Sequence, residues 1–371
     1  MLLKKVWLLL VCAIQCFCTL PLCAEEQIPL VVQVQDSIRT AHSPVFSQLR
    51  KTLEEGGFKE IHSLLIYHKG ALVFEEYYNG NDDTIDFERG VTRKVSSVPV
   101  SWNRNRKHYV ASVTKSVTGM LAGIALEQLS IPAHIPIDRL LPPKYVTAFD
   151  GVKQIPSLHH ILTMTAGFKW DEWSDKDLVS LWQSKDFTDF LLRRPIGRPG
   201  EKWVYNSAAP NLLLTALEYK LGMPVQDWGG EHFFEKLGIR DYVWHKQPTG
   251  VAEGAARLHM RPYDMLKIGI TVLQGGKWHG EQVVPAAWVK TMTAKHATSP
   301  AGDYGYYFWL RDLEGVSYIS ADGDGGQYIN IFPDHNMVIV MTQGNYLEWP
   351  LYAQQAEVIM IEHIFPALDI R

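Results

Sequence analysis

Ser112 and Lys115 stand three residues apart at the head of an otherwise apolar run, HYVASVTKSVTGML, from His108 to Leu121. At 3.6 residues per turn this spacing puts both on one helical face, with the amine within reach of the hydroxyl. A serine hydroxyl is a weak nucleophile at neutral pH until a neighbour accepts its proton or favours its alkoxide. A lysine enclosed by apolar side chains is driven towards its neutral form and can be that neighbour. A helix N-terminus adds unpaired N–H groups and a dipole that favour negative charge there. The chemistry open to the pair is acyl transfer through the serine. By itself, the spacing also fits a capping serine followed by a lysine whose stem packs while its head reaches water.

Other chemistries find less support. There are 14 histidines but no H-E-x-x-H, and the adjacent His159 and His160 cannot both face one metal from one helix. They read as packing and capping residues. ADGDGG, from Ala321 to Gly326, fails as an EF-hand loop: with Asp322 as first ligand, the sixth position is Gln327 and the twelfth Pro333. No G-x-S-x-G elbow occurs. No metal and no cofactor is therefore expected. A formal net charge of -4, with no long basic cluster, argues against nucleic acid as the main partner. The short basic stretch Arg104 to Lys107 reads as a loop leading into the next helix.

The elements that must position the pair follow from periodicity. The chain opens MLLKKVWLLLVCAIQCFCTLPLCAEEQ, with two lysines, an apolar run and Ala24 before Glu25. This reads as a secretory signal peptide over residues 1–24, which makes the protein periplasmic or secreted with no membrane span after its removal. All four cysteines, Cys12, Cys16, Cys18 and Cys23, fall inside it, so the mature core has no disulfides. Lipid attachment at Cys23 is disfavoured by the large Leu22 before it. Val45 to Gly57 has helical spacing, and Glu60 to Tyr78 reads as a β-hairpin turning at Lys69-Gly70. Helical spacing returns from Val113 to Leu129, and helices alternate with Pro and Gly loops through the middle of the chain. YGYYFWLRD, VSYISA, QYINIF and MVIVMTQG then read as strands, followed by a helix from Leu351 to Phe365. The expected fold is α/β: an antiparallel sheet formed from both termini, residues 25–110 and 300–371, flanked by helices. A mainly helical insertion, residues 111–299, carries Ser112. A cleft between such lobes suits a small molecule.

Four stretches in order carry a resemblance. ASVTKSVTGMLAGIALEQ resembles the S-x-x-K helix of the serine β-lactamase and penicillin-binding-protein superfamily. More narrowly it is similar to the class C-like branch of esterases, D-aminopeptidases and 6-aminohexanoate-dimer hydrolases. SLHHILTMTAGFKWDEW, RPGEKWVYNSAAPNLLLTALE and ADGDGGQYINIFPDHNMVIVMT resemble the segments that follow in that branch. The resemblance implies a β-lactamase-like fold and a catalytic set of Ser112, Lys115 and Tyr205. It also implies that the N–H of Gln327 joins that of Ser112 in the oxyanion hole. Asn206 contacts substrate or caps the helix that follows it.

The third motif departs from the family. Where lactamases have Lys-Thr/Ser-Gly, Asp324-Gly325-Gly326 aligns, on what reads as an edge strand whose glycines let substrate approach. An acid at Asp324 would repel the carboxylate of a penicillin. The expected function is a serine hydrolase, an amidase or esterase, acting on a small amide, ester or short peptide through an acyl-enzyme. The alternatives are a D,D-carboxypeptidase-like penicillin-binding protein and a non-catalytic ligand-binding relative.

Overall fold

The computed structural model describes Ile38 and residues 43–86, 93–173 and 176–370. The 1–24 leader and its cysteines lie outside the described residues.

Helix α1, Ser47–Glu54, is followed by strands β1, Ile61–His68, and β2, Ala71–Tyr77. The β1–β2 hairpin turns at Lys69 and Gly70, both at positive φ (46° and 90°). Two left-handed residues make a turn whose twist matches that of the flanking strands. The rest of the sheet comes from the other end of the chain: β3, Ala297–Ser299; β4, Gly302–Tyr304; β5, Trp309–Leu313; β6, Val316–Gly323; β7, Gln327–Phe332; and β8, Met337–Gln343. Their order is β3-β4-β5-β6-β7-β8-β1-β2, antiparallel throughout. Both termini therefore build one sheet, and β1 pairs with β8. The β6–β7 hairpin lies inside the sheet, so its glycines are not on an edge strand as the sequence suggested.

Every residue of β7 and β8 is buried, because helices cover both faces. On one face lie helices α2, Val113–Gln128, α3, Ala209–Leu221, and α4, Pro262–Leu273. Helix α4 seats directly on the sheet at Gly269, where a Cβ would meet Val338 Cγ1 at 2.6 Å and Ile329 Cγ2 at 2.7 Å. On the other face α1 packs with the C-terminal helix α5, Leu351–Val358, and its continuation through Ile364 and Phe365.

Two features were not legible beforehand. Asn79–Asp86 and Arg93–Ser101 form a separate two-stranded ribbon whose polar sequence carries no apolar alternation. The basic loop after it leads first into a two-residue strand, His108–Tyr109, paired with Leu258–Met260. Among the described residues no helix is long and apolar enough to cross a membrane.

Candidate active site

The backbone turns sharply into α2. Ala111 holds φ +47°, a left-handed conformation costly for a residue with a Cβ, and Ser112 follows as N-cap with φ -69°. The surroundings hold the strain in place: Val110 N–H donates to Leu258 O at 3.0 Å, and Thr114 Oγ1 donates to Ala111 O at 2.7 Å. The N–H groups of Val113, Thr114 and Lys115 turn back on the carbonyls of Val110, Ala111 and Ser112. Ser112 thus stands at a helix start, partly exposed, on an over-determined turn.

One helical turn on, Lys115 is 1% exposed. Its Nζ donates to Ser112 Oγ at 2.8 Å and to Ala255 O at 3.0 Å. The same Nζ lies 4.9 Å from the Tyr205 ring centroid, within cation–π range. Ala255 is placed by Glu253, a fully buried acid. Its carboxylate accepts the N–H groups of Ala255, Ala256 and Arg257 and the Asn211 amide, at 2.7–3.0 Å. Thr118 Oγ1 reaches Gly254 O at 2.9 Å, so α2 and the Glu253 loop hold Lys115 from two sides. Glu253 was not singled out in the sequence. Its one signal there is an acid set among small residues, in GVAEGAAR.

Tyr205 joins the site from the loop before α3. Its ring is 9% exposed and stacks near-parallel on Trp173 (5.8 Å, 20°) and on Trp309 (6.0 Å, 17°), with Trp203 tilted at 6.0 Å. Trp173 is 78% exposed and forms the outer wall. The loop is pinned by Glu172, whose carboxylate accepts from Trp170 Nε1, Ser207 N–H and Ser207 Oγ. Asn206 Oδ1 accepts from Ala208 N–H at 2.8 Å and Ala209 N–H at 3.1 Å, bonds that cap the start of α3. His160 also caps, bonding Ser157, while His159 Nδ1 bonds Tyr306 Oη at 2.7 Å.

The third motif is where the geometry corrects the reading. The backbone that abuts the Ser112 turn is the end of β6: a Cβ on Gly323 would meet Val110 O at 2.3 Å and Ala111 Cβ at 3.2 Å. Gly325 and Gly326 approach Tyr346 and the Gln343 side chain instead, at 2.4 Å from an added Cβ in each case. Gln327 has no exposed surface, and its amide donates to Gln343 O at 2.7 Å. A residue sealed in the sheet presents no N–H to a substrate oxygen, so Gln327 is not an oxyanion donor. The Asp324 carboxylate accepts Leu347 N–H at 3.1 Å and bonds Tyr352, and burial pushes its pKa up.

Residues 52–355 match the Beta-lactamase family model. The chain is 25% identical over 271 residues to the 6-aminohexanoate-dimer hydrolase of Paenarthrobacter ureafaciens, covering 66% of this chain and 67% of that protein. The solved structure named "Putative 6-aminohexanoate-dimer hydrolase from Bacillus anthracis" superposes with a TM-score of 0.67 at 18% identity, covering 89% of this chain and 88% of that one. The penicillin binding protein from Bacillus halodurans does so with a TM-score of 0.64 at 16% identity, covering 84% and 99%. These structural likenesses show the fold; the family match over most of the chain goes further, and the chain belongs to the Beta-lactamase family.

Proposed function

We propose that the protein is a serine hydrolase that cleaves a small amide or ester through an acyl-enzyme on Ser112. The observation that carries this reading is the 2.8 Å contact from buried Lys115 Nζ to Ser112 Oγ, with the Tyr205 ring beside the same amine. Ser112 Oγ attacks the carbonyl carbon as its proton passes to Lys115 Nζ. The resulting oxyanion is met by the Ser112 N–H and by backbone N–H at the Gly323–Asp324 end of β6. Collapse breaks the bond to the leaving amine or alcohol, which takes up the proton. Water then attacks the acyl carbon, giving its proton to the Lys115–Tyr205 pair and freeing Ser112.

The β6 end carries Ala321-Asp322-Gly323 and then Asp324, with no lysine to receive a penicillin carboxylate. Neutral or amine-bearing substrates fit this site better than β-lactams. The signal-like leader supports export to the periplasm or medium. The distant 6-aminohexanoate-dimer hydrolase relatives support an amide substrate of oligomer type.

The test is intact mass after fluorophosphonate treatment, beside p-nitrophenyl butyrate turnover. A single adduct and turnover that both disappear in Ser112→Ala are expected. A folded wild type with neither would discard the reading in favour of a binding protein. Nitrocefin hydrolysis at ordinary lactamase rates would overturn the substrate preference.

A further inference from the structure

Behind the nucleophile turn runs a buried chain of hydrogen bonds that the mechanism above does not use. Glu60 Oε2 lies 3.0 Å from His62 Nε2, and His62 Nδ1 lies 2.7 Å from His108 Nε2. His108 Nδ1 is 3.0 Å from Tyr346 Oη and 3.1 Å from Tyr109 O. Tyr346 Oη is also 2.8 Å from Tyr109 O. His62, His108 and Tyr346 are all buried, and the Trp102 ring lies against both imidazoles at 4.6 and 4.5 Å.

The ends of the chain fix the protons there. The His62 bond, with the N–H and Nδ2 of Asn81, holds the pKa of Glu60 at about 2. An ionised Glu60 can only accept, so His62 carries a proton on Nε2. At the other end Tyr346 Oη donates to Tyr109 O, and a carbonyl can only accept, so His108 Nδ1 carries a proton directed at Tyr109 O and the Tyr346 oxygen. The charged and titratable groups around these residues are Asp82, Asp83 with its partner Lys94, Arg106, His259 and Asp324.

Both ends of His108 matter to the site. Tyr109, the next residue, ends that two-residue strand, and the chain runs on through Val110 and strained Ala111 into Ser112. Tyr346 is the floor under Gly325, whose added Cβ would meet its ring at 2.4 Å, and the neighbouring Leu347 N–H holds Asp324. Bonds from His108 and Tyr346 thus tie the segment that leads to Ser112 to the loop whose Leu347 N–H holds Asp324.

We propose that His108, held by His62 and bonded through Nδ1 to Tyr109 O and Tyr346, is a positioning residue that sets the spacing between Ser112 and the Gly323–Asp324 strand end. The inference rests on the serine-hydrolase reading. His108 touches no reacting atom; it acts through the backbone on either side.

His108→Asn and Tyr346→Phe in the full chain test it. Tyr346→Phe keeps the ring under Gly325 and removes only the hydroxyl with its bonds to His108 and Tyr109 O. In both variants kcat on p-nitrophenyl butyrate should fall about 10- to 100-fold with KM little changed. Long-range proton–nitrogen spectra of the histidines should show His108 protonated on Nδ1 in the wild type. Wild-type kcat in folded His108→Asn or in Tyr346→Phe, a change confined to the thermal midpoint, or His108 bare at Nδ1 would overturn the inference. A wild type that neither labels nor turns over would overturn the hydrolase reading first, and the spectra identify that case because they need no activity.

Discussion

The two faces of the sheet bury different chemistry. The α2 face encloses Lys115, Glu253, Asn211, Thr114 and Thr118, each hydrogen-bonded to a neighbouring backbone carbonyl or N–H. The α1–α5 face is packed mainly with apolar side chains: Phe46, Leu49, Phe74, Phe332, Ile339 and Ile364. Burying polar groups costs stability unless each is paired, whereas burying apolar surface contributes it directly. One face of the sheet therefore supports chemistry that the other helps to stabilise.

Substitutions can separate those contributions. The largest effect is expected for Lys115→Met, which removes the proton acceptor from Ser112. Its kcat should drop about 10²- to 10⁴-fold, while chemical denaturation shows stability unchanged or raised, because a buried polar group that needs partners is gone. A variant with near wild-type kcat would demote Lys115 to a structural residue. On the opposite face Phe74→Ala should lose about 3–5 kcal/mol in urea unfolding and leave the kcat of the folded fraction alone. A large kcat loss there would erase the distinction between the faces.

Acid should act first where histidines are buried. Burial pushes His62 and His108 below the ordinary 6.5 and takes His159 and His259 to about 4, the last two helped by neighbouring histidines. Between 6.5 and those lowered values the unfolded chain binds protons that the folded chain refuses. Stability is therefore full above pH 6.5 and declines as pH falls towards 4. Thermal midpoints from pH 7 to 4.5 would show it, and a flat profile would contradict it. The smallest effect is expected at Trp173, exposed against Tyr205: Trp173→Ala should shift stability by no more than about 0.5 kcal/mol and change KM across esters of different acyl size. KM values that stay fixed across that series would remove Trp173 from the acyl pocket.

Local chemistry explains which parts could be read early. Ser112 and Lys115 lie one helical turn apart, the β1–β2 hairpin is closed by its own two turn residues, and apolar runs mark β6, β7 and β8. Each is a short-range feature, legible because period and propensity act within a few residues. Gln327 was misplaced because a glycine-rich hairpin has no periodicity to set its register. The cap bonds of Asn206 could be seen only once the direction of α3 was known. Glu253 was invisible because its partners lie on Asn211 and on its own loop, and only folding brings Asn211 to it.

By itself the sequence determined the chemical type of the site, since a serine and a lysine on one helical face act across a distance that the helix alone sets. Tertiary structure decided which backbone faces that serine, what holds the lysine, and how the histidine chain behind them is bonded. Those contacts join residues as far apart as Val110 and Gly323, or Glu60 and Tyr346, and no local preference encodes a distance across the sheet.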